Sequence, residues 1–205
     1  MPLIRKDAAP KTDVRPDPAA AAGRLAGGTA DERWAAAREL GGRPGGEEVL
    51  GAALATEADP RVREAIFTTL ARVGTAKAAA VVLPHLRTDD ANLRTGALDA
   101  LRAMPQSAAA HVPALLTDAD VDVRVLACEL VRHLPSGEAT RLLGDLLSRE
   151  PDVNVCASAV DVLAECGGPE ALPALQACAA RFADEAFLRF AIQVATERIG
   201  GPARA

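Results

Sequence analysis

Apolar side chains recur along this chain with the spacing of one helical face, and that face returns about every thirty residues. Aligned on Arg63, Arg94, Arg124, Cys156 and Arg189, successive copies stand 31, 30, 32 and 33 residues apart. The residue before each anchor is apolar (Val62, Leu93, Val123, Val155, Leu188), as is the third after it (Ile66, Ala97, Ala127, Ala159, Ile192). Seven after it come Leu70, Leu101, Val131, Leu163 and, as the exception, Thr196; ten after it come Val73, Met104, Leu134, Cys166 and Ile199. These offsets fall on one side of an α-helix, so each copy predicts an amphipathic helix with its apolar stripe turned inward.

The polar positions mark the ends. Four residues before the anchors lie Asp59, Asp90, Asp120, Asp152 and Glu185, suited to accept hydrogen bonds from free amides and to sit at the positive end of the helix dipole. Eleven after the anchors stand Gly74, Pro105, Pro135, Gly167 and Gly200, residues that tolerate a left-handed turn or cannot continue the ladder. A degenerate earlier copy fits Arg33, with Thr29 to Glu32 as a capping box. Between copies lie second apolar stretches: Glu47 to Leu54, Ala78 to Leu86, Ala109 to Leu116, Ala139 to Leu147 and Glu170 to Cys178. The expected fold is all-α: about five helical hairpins and a final helix over residues 28–201, with 202–205 as a short end. Residues 1–27 carry four prolines, an alanine run and no sustained periodicity, and are expected to be a flexible tail that carries Leu3 and Ile4 as a docking peptide or is an unstructured extension.

Composition sharpens this picture. Alanine supplies 46 of 205 residues, while aromatic residues make up only 2%. Such material suits closely spaced helices and argues against a sandwich or barrel, which would need β-branched and aromatic strands. The net charge is −5, divided as +2 over the first 27 residues and −7 over the rest. That balance, with five aromatic residues in all, argues against a groove that tracks nucleic-acid phosphates. No apolar stretch is long enough for a membrane span and Met1 to Lys6 lacks a secretory h-region, so a cytoplasmic protein is expected. Cys128, Cys156, Cys166 and Cys178 include no C-x-x-C pair and read as reduced core thiols.

The sequence resembles the HEAT repeats, specifically the short HEAT-like units associated with phycobilisome lyases. The resemblance rests on Asp59-Pro60-Arg61-Val62-Arg63 with Leu70 and Gly74, on Leu93-Arg94 with Ala97 and Leu101, and on Asp120-Val121-Asp122-Val123-Arg124 with Ala127. Second-helix openings such as His111-Val112-Pro113-Ala114-Leu115 and Ala171-Leu172-Pro173-Ala174-Leu175 belong to it too. It implies a right-handed α-solenoid, first helices outside and second helices lining the concave side. It also implies that Asp59, Arg63, Asp90, Arg94, Asp120, Arg124 and Asp152 form a structural ladder between repeats rather than an active site. Cys156 in the arginine column and the glycine-rich segment 41–46 depart from the pattern.

Candidate chemistry is sparse. Asp118-Ala119-Asp120-Val121-Asp122 with Glu129 approaches a calcium loop, but Val123 stands where the sharp turn needs glycine, and Asp120 already falls at a helix start. His85, His111 and His133 are isolated, with no His-Glu pair and no nucleophile at a defined spacing, which removes the di-iron hydroxylases built on HEAT repeats. No catalytic, cofactor-binding or metal-ligating residue is therefore assigned. The one anomaly is aromatic. Phe187 and Phe190 occupy columns that are mostly polar elsewhere (Arg61, Asn92, Asp122, Asn154 and Glu64, Thr95, Val125, Ala157), and with Phe182 they place three of five aromatic residues within nine positions. Two readings stand: local cover for a helix with no following hairpin, or an anchor for a partner or a second copy. The expected function is a non-catalytic scaffold or adaptor that binds protein partners, as a monomer or within a homo- or hetero-oligomer. The alternative implied by the repeat subtype is a bilin lyase or isomerase subunit handling a tetrapyrrole.

Overall fold

A computed structural model describes residues 18–201, and among these the regular elements are all helical. After α1 (Pro18–Gly27), the hairpins pair α2 (Ala30–Glu39) with α3 (Gly46–Leu54), and α4 (Pro60–Val73) with α5 (Ala76–Val82). They continue with α6 (Ala91–Arg102) and the short α7 (Pro105–Ala109) and α8 (Val112–Leu115), then α9 (Val121–Val131) with α10 (Ser136–Arg149), and α11 (Val153–Cys166) with α12 (Leu172–Arg181). The last helix is α13 (Ala186–Gly200). First helices stack in chain order, α2 on α4, α4 on α6, α6 on α9, α9 on α11 and α11 on α13. Each unit thus leans only on its neighbours, the arrangement of a repeat solenoid.

The repeating columns form the core. Val62, Leu93, Val123, Val155 and Leu188 are buried, as are Ile66, Ala97, Ala127, Ala159 and Ile192. Leu70, Leu101, Val131 and Leu163 are fully enclosed, each such side chain contributing about 1.5–3 kcal/mol relative to exposure. Thr196, the exception in that column, is half-buried. Alanine and glycine do the spacing between second helices: a Cβ on Gly51 would stand 2.7 Å from the Cβ of Val81.

The helix starts obey the caps. The Asp59, Asp90, Asp120 and Asp152 carboxylates each accept a hydrogen bond from an amide two residues on, and Thr29 with Glu32 closes a capping box. Glu185 departs from the expectation: it occupies the N-cap of α13, but its side chain makes no capping hydrogen bond. The stops differ from one another. Gly74 alone in its column is left-handed (φ 64°); Gly167 is extended, Gly200 is still helical, and Pro105 and Pro135 serve the following helices as first residue and N-cap.

Two expectations need correction. The segment expected as a tail through residue 27 ends sooner, because Pro18–Gly27 is helical. Proline is tolerated at the first helical position, the alanine run favours helix, and Ala21 and Leu25, one turn apart, are buried, with α1 seated on α2 and α3. The solenoid therefore begins at 18; residues 1–17, with Leu3 and Ile4, and residues 202–205 lie outside the described part. The second correction concerns Ala109 to Leu116, which is not one helix but breaks at Ala110–His111 between α7 and α8. Pro113 has no amide to donate back to Ala109. The same effect turns Leu83–Arg87, around Pro84, into a 3-10 helix, and puts 3-10 turn Pro169–Ala171 ahead of Pro173.

Candidate partner-binding end

The anchor arginines are fastened within their own unit before they reach the next. Each donates to the carbonyl six residues upstream: Arg63 Nε to Glu57 O (2.6 Å), Arg94 Nη1 to Thr88 O (3.0 Å), Arg124 Nη1 to Asp118 O (2.9 Å) and Arg189 Nη1 to Ala183 O (3.1 Å). What lies across the repeat boundary depends on that same upstream column in the next unit. Where it holds glutamate, the guanidinium forks onto the carboxylate: Arg33 onto Glu57 (2.8 and 3.0 Å) and Arg124 onto Glu150 (both 2.9 Å). Where it holds Thr88, Arg63 turns to the cap, Nη1 to Asp90 Oδ2 at 2.7 Å. Where it holds the shorter Asp118, that carboxylate pairs with Arg87 instead, and among the described residues the Arg94 guanidinium bonds only to its own loop. Of the expected Asp–Arg ladder, one rung between units is therefore Arg63–Asp90. Asp59, Asp120 and Asp152 act as caps, and Glu57 and Glu150 carry the forked rungs.

A second ladder runs at the other end of the first helices. Arg102 and Arg132 are ion-paired. Arg102 Nη2 meets Glu129 Oε2 at 2.5 Å, and Arg132 Nη2 meets Glu129 at 3.2 Å and Asp161 at 3.0 Å, with Glu165 as a further partner. These two arginines thus clamp α6 to α9 and α9 to α11. Asp118 and Asp120, the centre of the apparent calcium loop, hold Arg87 and the amides of Asp120 and Asp122. His111 is half-buried and His133 exposed. His85 lies edge-on to Phe67, ring centres 6.4 Å apart, and burial pushes its pKa below the ordinary value.

The three phenylalanines separate. Phe182 caps the C-terminus of α12, is half-buried against the core and lies 4.9 Å under the Arg181 guanidinium. It is packing, not exposed anchor. Phe187 and Phe190 project from α13, 74% and 66% exposed, while Leu188, Ile192 and Ala195 of the same helix are buried. Its other large exposed side chains are polar, Arg189, Gln193, Glu197 and Arg198, with Gln193 donating to Glu197. Beside Phe190 a depression of about 390 Å³ is lined by Ala179, Ala186, Arg189, Ile192 and Gln193. At the far end of the array Trp34 is 40% exposed beneath the Arg38 guanidinium, 4.7 Å from the ring centre. Between α4 and α6 a groove of about 430 Å³ is lined by Phe67, Ala71, Gly96 and Ala100, with Glu64 and Asp99 at its sides. The sequence did not single out this groove, whose only signal was the Gly96–Ala100 spacing on α6.

The chain matches the HEAT-repeat family over residues 20–102 and 108–195. It belongs to that family. No curated protein matches it. Among solved structures it is similar to an engineered protein (19% identity over 90% of this chain and 97% of the other, TM-score 0.44). A designed armadillo repeat protein is similar at 15% identity, covering 89% of this chain and all of the other, TM-score 0.43. The complex of CpcE and CpcF of phycocyanin lyase from Nostoc sp. PCC7120 is similar at 18% identity, covering 100% of this chain and 95% of the other, TM-score 0.45.

Proposed function

We propose that this HEAT-repeat chain is a non-catalytic scaffold that binds a protein partner through the end of the array, with Phe187 and Phe190 as anchors. The observation that supports this reading is the exposure of two large rings, one turn apart, on a helix whose other large exposed side chains are polar. Isolated aromatic side chains of this kind, rimmed by polar groups, are the usual centres of protein contacts. HEAT repeats build an elongated surface suited to such contacts.

The test compares capture from source-cell lysate by the full chain and by the double variant Phe187→Asp, Phe190→Asp. A stoichiometric protein retained by the first and lost by the second, with helical circular dichroism unchanged, is expected. Sedimentation of each at matched concentration identifies the case in which the partner is a second copy. Capture that ignores the two substitutions, or that retains nothing above background with no self-association, would overturn the proposal. A shift in the visible spectrum of an added bilin would replace it with the lyase-type reading.

A further inference from the structure

Helix α13 carries two apolar faces. Toward the core it buries Leu188, Ile192 and Ala195. On its other side Phe187, Phe190, Ala191 and Val194 follow the i, i+3, i+4, i+7 spacing of a second stripe. Both rings of that stripe are exposed, and Ala191 and Val194 are half-buried. On the other first helices the two ends of the same stripe are polar, as in Arg61 and Thr68 of α4 or Asp122 and Glu129 of α9. The apolar stripe therefore belongs to α13 alone.

The charges beside the stripe complement a second copy of the same helix running the other way. Asp184 stands just before the start of α13 and Arg198 near its end, and among the described residues neither has an ion-pair partner. When Phe187 of one copy faces the partner's Val194, the two-fold axis passes between Phe190 and Ala191. That register brings Arg198 within one residue of the level of the partner's Asp184, on both sides of the axis. Glu197, the neighbour of Arg198, is engaged by Gln193. Antiparallel pairing also sets opposite dipole ends of the two helices together. End-on stacking of a further array is disfavoured by the same helix. It would bury Gln193, which stands in the column where Phe67, Leu98, Cys128 and Val160 are enclosed in the internal units. The sideways contact uses each α13 once, so it closes at two copies and does not grow into a filament.

We propose that the partner of the phenylalanine anchors is a second copy of this chain. Two copies pair through Phe187, Phe190, Ala191 and Val194 of antiparallel α13 helices, with Arg198 of each on Asp184 of the other. This names the partner within the scaffold reading above and rests on it. Two rings of this exposure withdraw roughly 300 Å² of surface per copy, well short of the roughly 800 Å² per copy of a standard stable interface. The dimer is therefore reversible, forming at micromolar concentration. Joining two arrays at their ends makes the scaffold bivalent: a ligand with two epitopes within reach is held by both arrays at once.

Sedimentation velocity of the purified full chain over roughly 1–300 μM should show a monomer–dimer step with its midpoint at roughly 10–100 μM. The double variant Phe187→Asp, Phe190→Asp should raise that midpoint more than about tenfold. Arg198→Glu should raise it about threefold or more, and adding Asp184→Arg to the same chain should bring it back toward wild type, because the exchanged charges again oppose each other. A wild-type chain that stays monomeric throughout the range overturns the dimer. If that monomer still captures a lysate protein through the two rings, the scaffold reading stands and the second copy alone is struck. A dimer indifferent to the phenylalanine substitutions overturns the α13 seam. Species that grow beyond two copies with concentration overturn the two-fold closure. A charge exchange that fails to restore pairing in a folded chain overturns the antiparallel register, and the wild-type titration decides the central claim even if a variant fails to fold.

Discussion

Arg124 and Glu150 face each other across the boundary between the third and fourth full repeats, with Nε and Nη2 each 2.9 Å from a carboxylate oxygen. The pair is nearly enclosed, its side chains 12% and 4% exposed, and Glu150 also accepts the amide of the cap, Asp152. Removing one partner leaves the other charge buried. Arg124→Met should therefore lower the unfolding free energy by about 3 kcal/mol, and Glu150→Gln, which keeps an acceptor for Asp152, by roughly half as much. Urea titration of the two variants and the double variant checks this; a cost under about 0.5 kcal/mol for Arg124→Met would make the pair peripheral.

Acid should loosen the same joints. The hydrogen bond from Arg33 holds Glu57 below its ordinary value of 4.5, and the Leu93 amide with Arg63 does so for Asp90, ordinarily 3.8. A depressed carboxylate binds fewer protons folded than unfolded, so its stabilisation is present above the unfolded value and lost as pH falls through the folded one. Stability should fall steeply below about pH 4.5, and Glu57→Gln should flatten that limb. His85 adds a gentler limb of the same sign. Burial lowers its pKa from 6.5, so the unfolded chain takes up the proton first and stability declines as pH drops below that value. Chemical unfolding of wild type, Glu57→Gln and His85→Leu across this range separates the two limbs.

Alanine is normally the better helix residue, yet Gly51→Ala should destabilise. The added methyl would stand 2.7 Å from Val81 Cβ and 3.2–3.3 Å from both its methyls, atoms that cannot rotate away because they branch at the backbone. The expected loss is about 1–3 kcal/mol. Pairing it with Val81→Ala should recover part of that loss in the same urea titration.

Phe187→Ser and Phe190→Ser should leave thermal stability within about 0.5 kcal/mol of wild type, since neither ring is enclosed and surface changes seldom exceed that. A large loss would mean that the rings are covered in solution and would restore the local-packing reading. Phe182→Ser should cost more, because that ring packs against the core.

The repeat was legible because columns −1, 3 and 7 face the same way in every unit, so five noisy copies reinforce one periodic signal. The cap column was legible for the same reason. The upstream column of Glu57, Thr88, Asp118 and Glu150 also recurs and was the available signal for the forked rungs, but it falls in loops, where no periodicity directs attention. Helix α1 escaped because ten residues, half of them alanine, bury only two side chains, Ala21 and Leu25. The phenylalanine cluster was visible as three residues, and only packing told Phe182 from the other two.

The amino-acid sequence by itself determined the all-helical hairpins, their number, their inward faces and their aspartate caps, because each follows from local spacing and backbone chemistry. Tertiary structure decided which acid each arginine meets, that Arg102 and Arg132 clamp neighbouring first helices, and that Phe187 and Phe190 stay exposed. Those outcomes depend on distances between residues about thirty positions apart, set by how closely one hairpin settles on the next. A difference of one methylene between Glu150 and Asp118 was enough to change the partner.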